Sequence, residues 1–461
     1  MSITARSIRH WLAAACAAFV LLGPCLAASE QSRVNIGANS VYEGNYRISQ
    51  DHALGITRFI TDGGESVLLI ADYRSGVVRR LFPVSDTEFV MGAGFAEQSP
   101  VELEVRFVKD GQGNVKGTSL RSADGKESFA ERVSLVEEAI EIASGDTKLA
   151  GTLIAPPGKG PHPAIILLHG SGPLTRYSFG PYPRFFASLG LAVLIYDKRG
   201  TGASTGTRLD ASTGAQAPVP AAYYPDDLAN DALAVFRFLQ QRSEINRNEI
   251  GVWGSSEGGM LATQVAARSK EVAFAINSSG FMGPLWETIL YQAGAIPRSQ
   301  GLSAAQAEEA REFARLWMRV ARTGEDYDLF VSKREEIRKT NRSWLLSYYS
   351  NQYISPAQMR WDWDHILSFD SLPALQRVTC PVLGVFGELD PLTDASTAST
   401  KMREALSGTG HRDFTIKVFP NAGHSLGEMP SNSRMAPGVF ETLRSWLLKR
   451  VHTAGSVTNN G

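Results

Sequence analysis

Two serines in this chain stand at the centre of the pattern Gly-x-Ser-x-Gly, in which a serine hydroxyl can serve as a nucleophile. One is Ser256, in the stretch IGVWGSSEGGM of residues 250–260, and the other is Ser204, in the stretch GASTG of residues 202–206. The pattern alone has little weight, because the chain contains 43 glycines among 461 residues. The surrounding sequence must therefore decide between the two serines.

Ser256 lies between an apolar run and a segment with helical periodicity. Gly254, Gly258 and Gly259 supply the small residues that a sharp strand-to-helix turn requires, and such a turn lifts the hydroxyl above the edge of a sheet. Ser204 instead precedes residues 205–220, which have no apolar period and are predicted to form a loop. Because no helix follows its glycines, this loop does not fit a dinucleotide-binding turn either. The sequence therefore predicts Ser256 as the nucleophile.

A serine hydroxyl attacks efficiently only when a base takes its proton, so a histidine and a carboxylate are required. Asp390 ends the apolar run PVLGVFGELD, and His424 ends FTIKVFPNAGH. Both follow Ser256 in the order serine, acid, histidine. The other histidines precede the serine, the acid or the last strand, or lie near a terminus. Two other carboxylates near Asp390 are less suitable as the acid. Glu388 lies two residues earlier and would point in a different direction from the strand end, and Asp394 is predicted to be the first residue of a helix.

The third requirement is a pair of backbone N–H groups that can stabilise a developing oxyanion. The loop HGSGP follows an apolar run, and the sequence predicts Ser171 and Glu257 as the two N–H donors. His169 is interpreted as a residue that organises this loop. Lys198 and Arg199 follow another apolar run and are interpreted as solvated charges of a strand-end turn, with no role in catalysis.

The elements that must position these residues divide the chain into distinct regions. From residue 134 to residue 461, apolar strands alternate with amphipathic helices, which predicts an α/β fold with a mostly parallel sheet. Residues 281–373 interrupt this alternation with helical patterns and are predicted to form a cap insertion. Residues 29–133 alternate short apolar and polar segments between turns, which predicts a small all-β, barrel-like domain. A structural or substrate-shaping role is favoured for this domain over an independent binding site.

Composition and charge exclude several classes of partner and cofactor. Lys plus Arg (46) nearly balances Asp plus Glu (47), so the net charge of -1 favours neither nucleic acid nor an anionic membrane as a partner. The β-rich region contains no cluster of His, Cys and carboxylates with the spacing of a metal site, and the stretch RWDWDHILSFD of residues 360–370 is interpreted as a connector in preference to a metal site. We expect no metal and no cofactor. Beyond the N-terminal segment the chain contains one cysteine, Cys380, which excludes an internal disulfide.

Residues 1–28 are predicted to be a signal peptide. Arg6 and Arg9 precede the apolar run WLAAACAAFVLL, and small residues follow Gly23 and Pro24. The run is shorter than the roughly 20 residues that span a bilayer, which disfavours a membrane anchor. A lipoprotein signal around Cys25 is an alternative, although Pro24 stands where a small residue is preferred. The expected location is periplasmic or secreted, without a transmembrane segment after the signal is removed.

Five stretches spread over residues 134–450 resemble motifs of the α/β-hydrolase superfamily, and more narrowly of secreted bacterial esterases related to serine aminopeptidases. They are HGSGP, YDKRGTGAS, GSSEGG, GELDP and PNAGH, in the order found in that family. The resemblance implies the α/β-hydrolase fold and a Ser-His-Asp triad. It does not identify the substrate, because the superfamily includes esterases, peptidases, thioesterases, lactone hydrolases and amide hydrolases.

The sequence favours a metal-independent serine hydrolase whose partner is a small-molecule acyl substrate, best a carboxylic ester of a small or medium acyl group. One alternative is a peptidase or amidase that receives a free amine on acidic side chains of the cap. Helical spacing instead makes those side chains a solvated face. A second alternative is an inactive, secreted binding protein whose β domain carries the function. The oligomeric state stays open. The acidic cap residues are Glu308, Glu309, Glu312, Glu325 and Asp326.

Overall fold

The part of the chain that the structure describes begins at residue 40. The predicted signal peptide and Cys25 lie outside the described residues. The computed structural model describes residues 40–452, apart from residues 62–63, 208–224, 341 and 347–354.

The first eight strands form a closed antiparallel barrel. Each strand pairs with the next one along the chain, and the first strand pairs with the eighth. Large apolar side chains such as Tyr46, Ile56, Phe89 and Phe107 fill the interior. The prediction of a barrel-like β domain is confirmed. The strands are β1 (Gly44–Ser49), β2 (His52–Ile60), β3 (Ser66–Asp72), β4 (Val78–Pro83), β5 (Glu88–Gly92), β6 (Val101–Lys109), β7 (Val115–Ser122) and β8 (Glu127–Val133).

The second sheet also has eight strands, in the order β16-β15-β14-β13-β11-β12-β10-β9. The pairs β9–β10 and β10–β12 are antiparallel, and the other pairs are parallel. The predicted mostly parallel sheet is thereby confirmed. Its strands are β9 (Val136–Ser144), β10 (Thr147–Ala155), β11 (His162–Leu168), β12 (Ala192–Tyr196), β13 (Ile245–Ser255), β14 (Ala275–Ser278), β15 (Val382–Gly387) and β16 (Phe414–Phe419).

Helices cover both faces of this sheet, because the central strands are apolar on both sides. Helices α2, α3 and α9 pack on one face, and α1 and α10 pack on the other. This arrangement leaves the loops at the carboxyl ends of the parallel strands free to carry functional residues. The five helices are α1 (Tyr182–Ser188), α2 (Asp226–Gln240), α3 (Glu257–Arg268), α9 (Ala395–Gly408) and α10 (Val439–Leu448).

A mainly helical insertion lies between β14 and β15, as the sequence predicted. The longest of its helices, α5, begins with a capping box in which Ser303 and Gln306 satisfy each other's backbone N–H groups. None of the helices within the described ranges is both long enough and apolar enough to cross a bilayer. The inserted helices are α4 (Leu285–Ser299), α5 (Ala304–Thr323), α6 (Tyr327–Lys339), α7 (Pro356–Asp362) and α8 (Leu372–Leu375).

The barrel is joined to the larger sheet by backbone hydrogen bonds as well as by side chains. The N–H of Val78 donates to the carbonyl of Ser433 at 3.0 Å, and the N–H of Met435 donates to the carbonyl of Gly76 at 2.7 Å. These bonds connect the turn between β3 and β4 to the loop that follows His424. The barrel therefore contacts a segment that leads directly to one of the predicted site residues.

Candidate active site

Ser256 occupies a sharp turn between β13 and α3. Its backbone angles are φ 58° and ψ −124°, a conformation that residues other than glycine rarely adopt. Two hydrogen bonds hold the turn: the N–H of Ser256 donates to the carbonyl of Ser278 at 2.8 Å, and its carbonyl accepts from the N–H of Gly259 at 2.9 Å. Such local strain is typical of functional sites.

The glycines around Ser256 are required by close backbone contact. A Cβ built on Gly254 would lie 1.9 Å from the carbonyl oxygen of Gly258, and one built on Gly258 would lie 2.1 Å from the carbonyl oxygen of Leu168. Both distances are far shorter than any contact that a methyl group tolerates. The start of α3 therefore approaches β13 and β11 more closely than a side chain would allow, as the sequence predicted for a strand-to-helix turn.

Asp390 and His424 lie in direct contact, although they are 34 positions apart in the sequence. Oδ2 of Asp390 lies 2.7 Å from Nδ1 of His424. Oδ1 of Asp390 accepts the backbone N–H groups of Leu392 at 2.7 Å and Thr393 at 3.0 Å, so the carboxylate is fixed from both sides. In a neutral imidazole this contact keeps the proton on Nδ1 and leaves Nε2 able to accept one.

The Nε2 atom of His424 is buried and has no hydrogen-bond partner among residues 40–452 as described, Ser256 included. Hydrogen bonds between a nucleophile and its base are often long or misaligned before substrate binds, so this geometry does not exclude a proton transfer from Ser256. The ring nitrogen that faces away from Asp390 is thus the one available to act as a base.

The two other carboxylates considered for the acid have different partners. Glu388 is exposed and accepts the backbone N–H of Asn421 at 3.1 Å. Asp394 accepts backbone N–H groups at the start of α9, as the sequence predicted for a residue that opens a helix. Of these three acids, Asp390 is the one that contacts His424.

The loop HGSGP follows β11 and lies directly against the Ser256 turn. A Cβ built on Gly170 would be 3.3 Å from the Cβ of Ser256. Ser171 is the next residue along the loop. Glu257 is the first residue of α3, where a backbone N–H lacks an intrahelical acceptor and the helix dipole favours negative charge. The two predicted N–H donors thus belong to segments that flank Ser256.

His169 is buried and neutral. Burial lowers the pKa of its ring to about 3, against the opposing effect of the hydrogen bond that Nε2 donates to the carbonyl of Tyr196 at 2.5 Å. The ring stacks on Phe179 with 4.1 Å between centroids. These contacts agree with the interpretation of His169 as a residue that organises its loop.

The interpretation of Lys198 and Arg199 as solvated charges is wrong. The side chain of Lys198 is 3% exposed, and its Nζ lies 2.5 Å from Oε2 of Glu257 and donates to the carbonyl of Gly170 at 3.0 Å. Arg199 pairs with the buried carboxylate of Asp231 at 2.7 Å. The turn after β12 is enclosed by neighbouring loops and helices, and a lone sequence does not reveal which charges become paired there.

A tyrosine of the cap that sequence reasoning missed contacts the Asp390 loop. The hydroxyl of Tyr291, in α4, donates to the carbonyl of Asp390 at 2.7 Å, and the side-chain amide of Gln292 donates to the carbonyl of Leu392 at 2.9 Å. Burial and the nearby carboxylates of Asp394 and Asp390 raise the pKa of Tyr291 to about 12, so it remains a donor. Helix α4 therefore holds the loop that carries the acid.

Three of the five acidic cap residues are paired with arginines. Glu308 pairs with Arg315 at 2.7 Å, and Asp326 pairs with Arg319 at 2.7 Å. Glu309 likewise pairs with Arg342. The remaining two, Glu312 and Glu325, are exposed. This pattern supports the solvated helix face over a site for a substrate amine.

Within the described residues, Ser256, Asp390 and His424 belong neither to a metal site nor to the lining of a cavity beside the barrel. In the described part of the chain, no group of three or more His, Cys, Asp or Glu side chains has a metal-binding arrangement. A cavity of 270 Å³ lies between the barrel and the larger sheet, with arginines such as Arg58 and Arg184 in its lining, and Ser256 is not among its lining residues.

The sequence profile described as the alpha/beta hydrolase family matches residues 165–433. A curated relative, the esterase EstD of Thermotoga maritima, is 24% identical over 368 residues, which span 76% of this chain and 77% of the relative.

Solved structures with a related chain path include an esterase and a peptidase. The Pyrococcus furiosus esterase Pf2001 is 16% identical, with a TM-score of 0.44, and the match covers 69% of this chain and 92% of that one. The proline iminopeptidase of Mycobacterium smegmatis is 19% identical, with a TM-score of 0.42, and the match covers 68% of this chain and 98% of that one.

Proposed function

Because the chain belongs to the alpha/beta hydrolase family, we propose that it is a serine hydrolase that cleaves carboxylic esters of small or medium acyl groups. The observation that carries this proposal is the 2.7 Å contact between Asp390 and His424, formed by loops at the same edge of the sheet as the strained Ser256 turn. A serine nucleophile, a histidine base and a carboxylate that orients the base are the elements of acyl transfer.

In the first half of the reaction, the Oγ atom of Ser256 attacks the acyl carbon and its proton passes to Nε2 of His424. Asp390 retains the hydrogen bond to Nδ1–H and stabilises the imidazolium that forms. The N–H groups of Ser171 and Glu257 donate to the oxyanion of the tetrahedral intermediate. When the carbon–oxygen bond to the leaving group breaks, Nε2 returns the proton to the departing alcohol.

In the second half, water replaces the alcohol. Nε2 of His424 takes a proton from the water as its oxygen attacks the acyl-enzyme carbonyl, and the same N–H groups stabilise the second oxyanion. Collapse breaks the acyl bond to Ser256, whose oxygen recovers a proton from His424. The products are a carboxylic acid and the free enzyme, and the scheme uses no metal and no cofactor.

Two observations favour an ester over a peptide as the substrate. The Thermotoga maritima relative carries the name esterase. In this chain, the acidic cap residues Glu308, Glu309 and Asp326 are already paired with arginines and do not offer unpaired carboxylates to a substrate amine. An exopeptidase that recognises a free amine needs such charges near its subsites.

The test is turnover of a p-nitrophenyl ester series from C2 to C12 and of an aminoacyl p-nitroanilide panel. We expect ester turnover that falls by about 10⁴-fold or more in Ser256→Ala, because a triad without its nucleophile retains only binding and oxyanion stabilisation. Labelling by a fluorophosphonate probe should be lost in the same variant and kept in Ser204→Ala, the matched control.

Two outcomes would contradict this proposal. Faster turnover of the anilides would identify a peptidase or amidase. Silence on both panels, together with no fluorophosphonate labelling of the wild-type protein, would favour the binding protein.

We also propose that the mature protein is periplasmic or secreted, on the evidence of the segment 1–28. Expression of the full-length gene, followed by fractionation and mass spectrometry, should yield a mature N-terminus after residue 27 or 28. An uncleaved chain confined to the cytoplasm would contradict this proposal, and a lipid-modified Cys25 would identify the lipoprotein alternative.

A further inference from the structure

We propose that Lys198 is a positioning residue that fixes both N–H donors of the oxyanion hole, an inference that rests on the function proposed above. Its ammonium reaches two acceptors at once, the carbonyl of Gly170 at 3.0 Å and Oε2 of Glu257 at 2.5 Å. One acceptor immediately precedes Ser171, and the other belongs to the residue that follows Ser256. Each contact therefore acts on one of the two donor segments.

The contact with Gly170 sets the direction of the Ser171 N–H. The carbonyl of Gly170 and the N–H of Ser171 belong to one peptide unit, which is planar and trans, so the two groups point in opposite directions. Because the ammonium holds the carbonyl on its own side, the N–H must point to the other side of the loop. Gly170 already lies against the Ser256 turn, where the oxyanion would form.

The glycine-rich loop needs such an anchor. Gly170 and Gly172 flank Ser171, and Gly172 has a φ of +98°, a region open to glycine and costly for other residues. Glycines allow a peptide unit to rotate with little steric resistance. A hydrogen bond from a buried ammonium restricts that rotation more strongly than a bond from a neutral donor would.

The contact with Glu257 fixes the second donor. The Glu257 side chain is 1% exposed and that of Lys198 is 3% exposed, so the pair is enclosed by protein. The backbone N–H of Glu257 lies at the start of α3, and the side chain of the same residue is held by the ammonium. The Lys198–Glu257 pair thus links the HGSGP loop to the first turn of α3.

A neighbouring ion pair provides a matched control. Arg199 follows Lys198 directly, is also buried, and pairs with Asp231 at 2.7 Å and Asp227 at 3.1 Å. These partners lie in α2 and belong neither to the HGSGP loop nor to α3. Breaking the Arg199–Asp231 pair removes a buried ion pair of the same turn without removing a contact to either predicted N–H donor.

The experiment compares kcat, KM and melting temperature of variants, with the p-nitrophenyl ester that the wild-type protein turns over fastest. In Lys198→Met we expect kcat to fall about 100-fold, the size of effect seen when an oxyanion-hole donor is lost, with KM within about threefold. The Ki of a trifluoromethyl ketone with the same acyl chain, which forms an oxyanion when bound to Ser256, should rise by a similar factor.

The double variant Lys198→Met/Glu257→Gln separates positioning from folding. Removing both charges should recover most of the melting temperature that the single variant loses, because Glu257 then no longer carries a buried charge that Lys198 neutralised. The value of kcat should stay low, because Gly170 still lacks its donor. The control, Arg199→Met/Asp231→Asn, should keep kcat within about threefold of the wild-type value.

Recovery of kcat together with melting temperature in the double variant would overturn the proposal and leave Lys198 a role in stability alone. A Lys198→Met variant with wild-type kcat would also overturn it. If the wild-type protein turns over anilides and not esters, an equal loss of kcat in Lys198→Met on the anilides would support the role of Lys198 while overturning the ester preference. A wild-type protein without turnover or fluorophosphonate labelling would overturn both.

Discussion

The two Gly-x-Ser-x-Gly stretches have the same pattern and opposite surroundings. The hydroxyl of Ser204 is buried, donates to the carbonyl of Asp197 at 2.7 Å and accepts the N–H of Ala150 at 2.9 Å, so it connects a loop to the edge of β10. Ser256 lies on a strained turn between a strand and a helix and remains partly exposed. The prediction that Ser204 belongs to a loop is confirmed.

The glycines of the two stretches are required for different physical reasons. Gly202 and Gly206 have φ values of +58° and +88°, which a loop uses to turn and which other residues adopt at a cost. Gly254 and Gly258 are required because backbone atoms of a neighbouring segment lie where their Cβ atoms would be. A Cβ on Gly202 or Gly206 would also meet a side chain, at 2.5 Å from Oδ2 of Asp197 or 2.4 Å from Oγ1 of Thr147. The Ser204 stretch thus combines positive φ with close side-chain neighbours, whereas backbone atoms exclude a side chain at Gly254 and Gly258.

Replacing the second glycine of each stretch, Gly258 or Gly206, should give the largest difference in ester turnover between the two stretches. In Gly258→Ala the added methyl group would meet the carbonyl of Leu168, forcing the start of α3 away from β11 and displacing Ser256. We expect kcat/KM for the preferred ester to fall about 100-fold or more, because an error of about 1 Å in position has this effect.

The matched variant is Gly206→Ala, which strains a loop at positive φ and places a methyl group 2.4 Å from Oγ1 of Thr147, a side chain outside the active site. It should lower the free energy of unfolding by about 1 to 2 kcal/mol and leave kcat/KM within about threefold. Urea unfolding and ester kinetics on both variants provide the comparison. A larger loss of turnover in Gly206→Ala than in Gly258→Ala would show that the two stretches have been assigned the wrong way round.

The next largest effect is a loss of stability at low pH that arises from His169. The folded protein holds His169, beside Ser256, at a pKa of about 3, whereas an unfolded histidine titrates near 6.5. Between these values the unfolded state binds the additional proton, so the free energy of unfolding is highest above about pH 6.5 and falls as pH decreases. The loss should be about 3 kcal/mol between pH 6.5 and pH 4, and His169→Gln should remove this part of the pH dependence.

Asp197, in the Ser204 region, should respond in a different pH range. Burial acts to raise the pKa of its carboxyl, but hydrogen bonds from Arg176 and from the N–H of Ala203 outweigh that effect and the pKa is lowered. Its contribution to stability is therefore present above the ordinary pKa near 4 and is lost as pH falls further. Urea unfolding of wild type, His169→Gln and Asp197→Asn from pH 7 to about pH 2 tests both, His169 above pH 4 and Asp197 below it. An unchanged slope in His169→Gln would contradict the neutral, buried ring.

The smallest effect should be that of Ser204→Ala. Removal of the hydroxyl leaves the N–H of Ala150 without this acceptor, and we expect a loss of about 1 to 2 kcal/mol in the free energy of unfolding. Ester turnover should stay within about threefold of wild type. Ser119→Ala, on an exposed position of β7, serves as the control and should change stability by less than about 0.5 kcal/mol. A loss of turnover in Ser204→Ala would weaken the assignment of Ser256.

Much of the fold was predictable because it follows from local pattern. Buried parallel strands are continuous apolar runs, and the transition from such a run through Gly254 and Ser256 into a helix marks the turn without any alignment. The order serine, acid, histidine along the chain independently limited the choice of acid and base to residues after Ser256, such as Asp390 and His424. Their 2.7 Å contact in the structure is the kind of geometry that these restrictions anticipate.

The buried polar contacts were not predictable, because each depends on residues that are distant in sequence. A lysine after a strand has the same local pattern whether it is solvated or buried, and Glu257, which pairs with Lys198, lies 59 residues further along. Tyr291 is one aromatic residue among several in an amphipathic helix, and its bond to Asp390 spans 99 residues. The closing pair of the barrel, β1 with β8, likewise depends on a non-local register.

Hydrogen bonds join the turn after β3 to residues 433–435, and they make the barrel part of what turnover requires. The loop from Gly423 to Ala436 carries His424 at its second residue. It folds back on itself through the bond from the N–H of Ala436 to the carbonyl of Leu426, and its far side is attached to the barrel. Deleting the barrel would release that attachment and leave the histidine on a loop held at one end. We therefore expect the shortest active form of this protein to begin at the first strand of the barrel, well before the first residue that the family profile matches.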